Sequence, residues 1–308
     1  MSKLVQIPQS EYDPAAFARF APSVGFTLDN ARALMWLSQL AYETYEPRQP
    51  QKIAAVAQSW SFASLAPFCQ QKVGIAASYN TSGLVGERPD AIIIAFAGTD
   101  PLVWQTVITD FTMRPGGDTH AGFQAATDAV RADIDGAIAL SRATQKPLLI
   151  TGPSLGAAIA VLAASYATDQ SAVPAAVYGF GMPRVGNAQF HARYTAALGE
   201  RTFRLVHGID VVATVPPSML GFRHVGRMLA CASGGKFAGD ATALSSSASD
   251  DPLFSGGLQA GISATLANLA AGTILSPTGP GTFGTLFALL PPPIRDHLPD
   301  RYWTALTQ

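Results

Sequence analysis

The chain has 308 residues, of which 48% are hydrophobic and 13% charged, and its net charge is −1. Average chains carry about 25% charged residues, so this composition favours a large core and argues against extensive disorder. The balanced charge offers no basic surface for nucleic acid, and the two distant cysteines, Cys69 and Cys231, exclude a disulfide-rich scaffold and fit neither a zinc nor a redox pattern. We expect both thiols to be free, with one disulfide between them as the alternative.

The beginning of the chain shows no secretory signal pattern. Gln6, Pro8 and Glu11 interrupt its first apolar run, whereas a signal peptide needs an unbroken apolar region. The localisation therefore stays open between the cytoplasm, leaderless export, and secretion with a leader that precedes the given sequence.

Apolar runs and helical spacings alternate along the first three quarters of the chain. A helix is predicted over residues 27–45, where leucines recur at helical spacing behind a cap at Thr27 or Asp29. Residues 90–98 hold a continuous apolar run with three β-branched residues that ends in Gly, which is typical of a strand buried on both faces. The elements predicted after them are a long helix over 121–144, a strand over 148–152, a helix over 154–167, a strand over 175–181, a helix over about 187–199 and a strand over 202–210. This alternation predicts an α/β fold with a mostly parallel central sheet flanked by helices.

The pattern weakens after Ser233. Residues 233–251 are mostly Gly, Ser, Ala and Asp, and residues 252–294 contain no Asp, Glu, Lys, Arg or His. A transmembrane helix needs ~20 predominantly apolar residues, and polar residues and glycines interrupt this segment, so we expect no membrane span. We expect a single domain over 1–308 in which residues 233–295 form a Gly/Ala/Ser-rich apolar insertion.

The strongest chemical signal is the sequence Gly-Pro-Ser-Leu-Gly at residues 152–156, between a predicted strand and a predicted helix. A sharp turn between the two would hold Ser154 in a strained backbone conformation, and the flanking glycines would leave room for neighbouring elements. The helix that begins here points its N–H groups at the serine, so that the amide of Leu155 can donate to an oxyanion. The arrangement predicts a nucleophilic serine.

A nucleophilic serine needs a base, and the chain has five histidines. In the chain order serine, acid, histidine, His120 comes too early. His191 falls within a predicted helix and His207 within a predicted strand, which favours structural or surface roles. This elimination leaves His224 and His297.

Asp210 is the predicted acid because it closes the strand over 202–210. Such a carboxylate would hold an imidazole in the required tautomer and stabilise its charged form. Three other carboxylates lie on a predicted helix and are expected to face solvent, namely Asp128, Asp133 and Asp135.

Four sequence blocks in this order resemble the class 3 lipases, the fungal-type lipases of α/β-hydrolase fold. The resemblance covers about residues 27–227 and a short piece near 290–306. The first two blocks are AFAGTD at 95–100, similar to the family's Phe-Arg-Gly-Thr, and THAGF at 119–123, similar to its Val-His-x-Gly-Phe. The third is TGPSLGAA at 151–158, similar to the Gly-His-Ser-Leu-Gly-Gly-Ala elbow. The fourth consists of FGMPRVGN at 180–187, HGIDVVATVPP at 207–217 and GFRH at 221–224, and it is similar to the family's run through the catalytic aspartate. The resemblance implies an α/β-hydrolase fold.

The resemblance also implies roles for individual residues. The histidine of the GFRH-like block, His224, is structural in the family, and the base lies in a late Asp-His-x-x-Tyr-like stretch. Residues 296–302 fit that stretch with the tyrosine displaced, which selects His297 as the base. The family further implies that Thr99 supplies the second oxyanion donor beside Leu155, and its place directly after a buried strand agrees.

Two residues depart from the family pattern. Pro153 stands where the family usually has histidine, and it removes an N–H and fixes φ. Ala97 stands where the family usually has arginine, a residue that often anchors neighbouring loops. Neither change touches the Ser-His-Asp residues, but both put the usual lid anchoring in doubt.

Two apolar segments are candidates for contact with a lipid–water interface. The first, residues 101–111, occupies the place of the family's lid; its apolar stripe consists of Val103, Trp104, Val107, Ile108 and Phe111. The second is the charge-free segment 252–294. Each segment either borders the site as an exposed apolar surface or packs on the domain as core.

These features predict a carboxylic ester hydrolase that uses Ser154, His297 and Asp210. The resemblance makes a triacylglycerol lipase the main interpretation. The alternatives are a phospholipase A1 or short-chain esterase with the same residues, and an inactive lipid-binding protein on a hydrolase scaffold. No cofactor or metal is implied, since the sequence has no H-E-x-x-H, C-x-x-C or EF-hand pattern.

Overall fold

The computed structural model describes residues 5–73, 78–99, 115–245 and 292–307. The helices in these ranges are α1 (Leu28–Ala41), α2 (Pro50–Ser59), α3 (Ala121–Ala129), α4 (Arg131–Thr144), α5 (Leu155–Asp169), α6 (Ala188–Leu198), α7 (Pro292–Arg295) and α8 (Pro299–Ala305). The strands are β1 (Ser64–Val73), β2 (Ser78–Glu87), β3 (Ile92–Phe96), β4 (Pro115–Gly116), β5 (Thr119–His120), β6 (Leu148–Pro153), β7 (Ala176–Phe180), β8 (Thr202–His207) and β9 (Arg227–Cys231). The candidate lid at 101–111 lies outside the described residues, as does the segment 252–294 apart from its last three residues.

The main sheet of the described residues has seven strands in the order β1-β2-β3-β6-β7-β8-β9. Five of these strands, β3, β6, β7, β8 and β9, are parallel to one another. At one side of the sheet β2 pairs antiparallel with both β3 and β1. The expected mostly parallel sheet is therefore confirmed. The β1–β2 hairpin was not predicted, because polar residues and glycines interrupt its apolar alternation.

Helices cover both faces of the sheet. Residues from α1, α2 and α8 form one apolar cluster, which includes the stacked rings of Trp36 and Trp303 at 4.8 Å. Residues from α3, α4, α5 and α6 form a second cluster on the other face. Burial on both faces explains why β3 is an uninterrupted apolar run. Among the residues that the structure describes, each helix is too short or too polar to reach across a bilayer.

The predicted long helix over 121–144 is instead two helices that meet at Val130. This residue has φ −110° and ψ 23°, outside the helical region, and its side chain is fully buried. The break redirects the chain, so that α3 packs against β1, β2 and α5 while α4 packs against β3 and β6. No glycine or proline marks the break at Val130 in the sequence. The tertiary packing of α3 and α4 outweighs the local preference for one continuous helix.

Parallel strands bring their carboxyl ends to one edge of the sheet. Residues 97–99 follow β3, Ser154 follows β6, and the loop 208–210 follows β8. The predicted site residues therefore start from a common edge, where α/β sheets bind their ligands. Cys69 lies within β1 and Cys231 ends β9, and both carry free thiols, as expected.

Candidate active site

Ser154 occupies a strained turn between β6 and α5. Its φ is 55° and its ψ is −128°, which is a rare conformation for a residue with a side chain. Its amide donates to the carbonyl of Phe180 on β7 at 2.8 Å, and its side chain is buried. A strained serine turn that is followed directly by a helix is the arrangement expected of the predicted nucleophile elbow.

The glycines around this turn are required by close backbone approach. A Cβ on Gly152 would lie 2.5 Å from the carbonyl carbon of Gly156, and a Cβ on Gly156 would lie 2.7 Å from the carbonyl oxygen of Ala97. Both distances are too short for a real side chain. The serine turn, the helix start and the segment after β3 are thus packed backbone against backbone.

The segment with the predicted oxyanion donor Thr99 lies beside the serine. A Cβ on Gly98 would be 3.2 Å from the Cβ of Ser154, so the Gly98–Thr99 peptide is adjacent to the elbow. The hydroxyl of Tyr45 donates to the carbonyl of Gly98. Because the C=O and N–H of a trans peptide point in opposite directions, this bond also sets the direction of the Thr99 amide. Leu155, the other predicted donor, is the first residue of α5.

His297 and Asp210 form a buried pair. Nδ1 of His297 lies 2.7 Å from Oδ2 of Asp210, and the two residues are 3% and 2% exposed. A Cβ on Gly181 would lie 2.5 Å from Oδ2 of Asp210 and 2.6 Å from Nδ1 of His297, which explains a glycine with φ +59° at this point. Gly181 directly follows Phe180, whose carbonyl accepts the Ser154 amide. The structure therefore gathers Ser154, Asp210 and His297 around one short stretch of backbone.

Tyr302 is a member of this cluster to which sequence reasoning assigned no role. Its hydroxyl donates to Oδ2 of Asp210 and accepts the amide of His207 at 3.2 Å. Burial, together with the nearby Asp210 carboxylate, raises the pKa of Tyr302 well above its ordinary value, so the hydroxyl stays protonated and remains a donor. The amide of Val212 completes the shell at 2.8 Å from Oδ1 of Asp210. A displaced tyrosine in the late Asp-His stretch was the available signal.

Three of the other four histidines are engaged elsewhere. Nδ1 of His120 accepts the Gly122 amide, and Nδ1 of His191 lies 2.6 Å from the carbonyl of His224. Nε2 of His224 lies 2.7 Å from the carbonyl of Ala213. Of the two candidates left by the elimination, only His297 faces Asp210 in the described residues. His207 is considered below.

His224 makes a prediction about stability. Burial, with the nearby Arg204 and Arg184 guanidinium groups, lowers the pKa of His224 well below its ordinary value. Below pH ~6.5 the unfolded chain binds a proton at this side chain that the folded chain does not bind. Acidification therefore favours unfolding, and the loss grows as the pH falls towards the lowered folded pKa.

We expect His224→Gln to flatten this pH dependence, since a glutamine amide can still donate to Ala213 but does not titrate. Between pH 7 and pH 5 the parent should lose about 2 kcal/mol more of its free energy of unfolding than the variant. Urea unfolding at the two pH values measures the difference. Parallel pH curves for parent and variant would contradict the assignment.

Comparison with known proteins is consistent with this geometry. Residues 97–220 match the family described as Lipase (class 3). The secreted mono- and diacylglycerol lipase 1 of Fusarium solani is 37% identical over 112 residues, which cover 35% of this chain and 33% of that protein. The secreted mono- and diacylglycerol lipase A of Penicillium cyclopium is 32% identical over 148 residues, which cover 46% of this chain and 48% of that protein. The chain thus spans between a third and a half of the length of these relatives.

A solved structure has the same fold. It is a triacylglycerol lipase whose catalytic centre is described as a serine protease triad, and it aligns with a TM-score of 0.54 and 21% identity over 67% of this chain and 82% of that one. Together with the mostly parallel sheet flanked by helices, this match confirms the α/β-hydrolase fold.

Proposed function

We propose that this chain, whose residues 97–220 match the class 3 lipase family, hydrolyses carboxylic esters of lipids, with triacylglycerols as its main substrate class. The observation that carries the proposal is the buried His297–Asp210 pair at 2.7 Å, placed beside the Phe180–Gly181 backbone that also holds Ser154. A strained serine next to an oriented imidazole is the arrangement that acyl transfer needs.

In the proposed mechanism the hydroxyl of Ser154 attacks the acyl carbonyl, and His297 accepts its proton. The negative charge of the tetrahedral intermediate lies on the former carbonyl oxygen, where the amides of Leu155 and Thr99 donate to it. The intermediate collapses, and His297 returns the proton to the leaving alcohol. Water then attacks the acyl-enzyme with the same base and releases the fatty acid.

Asp210 acts on this mechanism through His297. With its carboxylate on Nδ1, the neutral imidazole carries its proton there and offers the lone pair of Nε2 as the base. When Nε2 takes the serine proton, the same carboxylate stabilises the imidazolium. Tyr302 and Val212 keep the carboxylate oriented. No step requires a cofactor.

Lipid contact is supported by an exposed apolar turn that follows the Asp210 loop in the chain. In the 3₁₀ turn Ser218–Leu220, Met219 is 82% exposed and Leu220 is 52% exposed. Neighbouring exposed apolar side chains are suited to a lipid–water interface. The names of the relatives, mono- and diacylglycerol lipases, support glycerolipid esters as substrates.

The test compares rates on emulsified triacylglycerol, diacylglycerol and phosphatidylcholine and on nitrophenyl esters of increasing chain length. A lipase should hydrolyse the triacylglycerol emulsion and show a rate increase when an ester exceeds its solubility. Hydrolysis of short soluble esters alone would identify an esterase, and a preference for the phospholipid would identify a phospholipase A1. Lipid binding without turnover of any ester would leave only the binding protein.

Tyr45→Phe should lower kcat about tenfold with little change in KM. The hydroxyl holds the Gly98 carbonyl and hence the Thr99 amide, and a loss of about 1.4 kcal/mol of transition-state stabilisation corresponds to a factor of ten. Steady-state kinetics on a soluble nitrophenyl ester measure it. Tyr166→Phe is the matched control, because that hydroxyl bonds Asp135 on α4. Equal kcat values for the two variants would contradict a role for Tyr45 at the oxyanion site.

A further inference from the structure

A second carboxylate–imidazole pair lies directly beside the first. Nδ1 of His207 lies 3.5 Å from Oδ1 of Asp296, with both side chains almost fully buried. The two pairs are crossed in the sequence, which means that the acid of each pair lies close to the imidazole of the other pair along the chain. Asp296 directly precedes His297, and His207 stands three residues before Asp210, so each chain segment contributes one acid and one imidazole. The proposed mechanism uses only one member of each segment.

The Asp296 carboxylate is enclosed by the loop that leads to Asp210. Its Oδ2 accepts the amide of Ile209 at 3.0 Å and the hydroxyl of Ser233. A Cβ on Gly208 would overlap this carboxylate, and Gly208 has φ +57°, so a glycine is needed there on both grounds. The loop after β8 is thus shaped around the side chain of the residue next to His297.

The tautomer of His207 follows from its partners. The amide of Gly234 donates to Nε2 of His207 at 3.1 Å, so this nitrogen is an acceptor and carries no proton. A neutral imidazole then carries its proton on Nδ1, which faces the Asp296 carboxylate. Because the Gly234 amide occupies Nε2, His207 turns the positive end of its Nδ1–H dipole towards the Asp296 carboxylate at 3.5 Å, and it is not suited to accept a proton from substrate.

We infer that Asp296 and His207 are positioning residues, which fasten the turn that carries His297 onto the loop that carries Asp210. The inference rests on the proposed function. The turn 292–298 is short, and its other described backbone bond to this loop is from the Val211 amide to the Pro293 carbonyl at 3.2 Å. A shift of about 1 Å in a reacting group can cost about a hundredfold in rate. The buried bonds of Asp296 therefore determine whether His297 is in place for Ser154.

The test uses Asp296→Asn and His207→Gln, alone and combined, in the full chain. Asparagine can still accept from Ile209 and Ser233, but it loses the charge that faces His207. We expect kcat to fall about 10- to 100-fold in each single variant with KM unchanged, and the double variant to lose no more than either single one, because the two residues act through one contact. Asp128→Asn is the matched control, since it removes a carboxylate on the surface of α3 that pairs with Arg131 and takes no part in either buried pair.

Titration with a nitrophenyl phosphonate separates positioning from loss of fold. The reagent bonds to Ser154 Oγ and expels nitrophenolate, so its burst counts competent sites and its rate reports the nucleophile. A slower rate per titrated site in Asp296→Asn supports the inference. A reduced count with an unchanged rate per site, or no change at all, would overturn it.

A measurement that needs no turnover separates failure of this inference from failure of the proposed function. The proton on Nδ1 of His297, bonded to a buried carboxylate, should give a downfield proton NMR signal that His297→Gln abolishes. In Asp296→Asn this signal should shift or broaden through exchange with water, while Asp128→Asn leaves it unchanged. An unaltered signal in Asp296→Asn refutes positioning even in a parent that hydrolyses no ester, and a parent without esterase activity refutes only the function.

Discussion

Replacement of Ser154 with alanine is expected to lower kcat on a soluble nitrophenyl ester by about 10⁵- to 10⁶-fold, because the attacking oxygen is removed and no bond to the acyl carbon can form. Alanine keeps the Cβ, so the strained turn, its amide bond to Phe180 and the close packing of Gly152 and Gly156 are preserved. The variant should therefore fold like the parent. Steady-state kinetics with highly purified protein measure the loss of kcat, and circular dichroism measures whether the variant is folded like the parent.

A serine elsewhere provides the control for this experiment. Ser59 lies at the end of α2, where its hydroxyl bonds the carbonyl of Val56, and Ser59→Ala should keep full activity. The phosphonate reagent should label the parent and Ser59→Ala but not Ser154→Ala. Unchanged hydrolysis in folded Ser154→Ala would show that another nucleophile or a contaminant is responsible, and the mechanism would have to be abandoned.

The elements that could be predicted from the sequence are those whose burial requires a particular type of residue at each position of a continuous segment. Ile92, Ile93 and Ile94 are at most 1% exposed, and a strand covered on both faces must be apolar at every position. The nucleophile elbow could also be predicted, because close backbone contact admits only glycine at positions 152 and 156. In each case a local residue type directly records a local steric requirement.

The elements that could not be predicted depend on contacts between distant parts of the chain. The β1–β2 hairpin takes its place from its register against β3, where Gly83 leaves room for the ring of Phe68. The break at Val130 has no local signature. Tyr302 stands two positions later than the family's tyrosine, and only the fold shows that its hydroxyl reaches Asp210.

The choice of base illustrates the same limit. Chain order left both His224 and His297 open, since it contains no distance, and the resemblance to class 3 lipases selected the second. In the structure His224 bonds the Ala213 carbonyl while His297 faces Asp210. The crossed pair of His207 and Asp296 escaped sequence reasoning for this reason too, because each residue has a plain structural interpretation until both are seen together.

Asp210→Asn should have the second largest effect, a fall in kcat of about 10⁴-fold at neutral pH. The carboxylate accepts from three donors, namely the His297 imidazole, the Tyr302 hydroxyl and the Val212 amide. If the asparagine oxygen keeps the Val212 bond, its NH₂ group meets Nδ1 of His297 as a donor. The imidazole then relieves the conflict by moving its proton from Nδ1 to Nε2, and it can no longer accept the proton of Ser154.

The size of this effect depends on the tautomer rather than on the loss of packing, since Asp and Asn have nearly the same volume. The folded fraction measured by circular dichroism should therefore stay close to that of the parent while kcat falls and KM changes little. Asp128→Asn is the matched control, because that carboxylate pairs with Arg131 on the helix surface. If Asp210→Asn kept more than about a tenth of the parent kcat, the imidazole would not need this carboxylate, and Asp210 would be a structural residue buried beside the site.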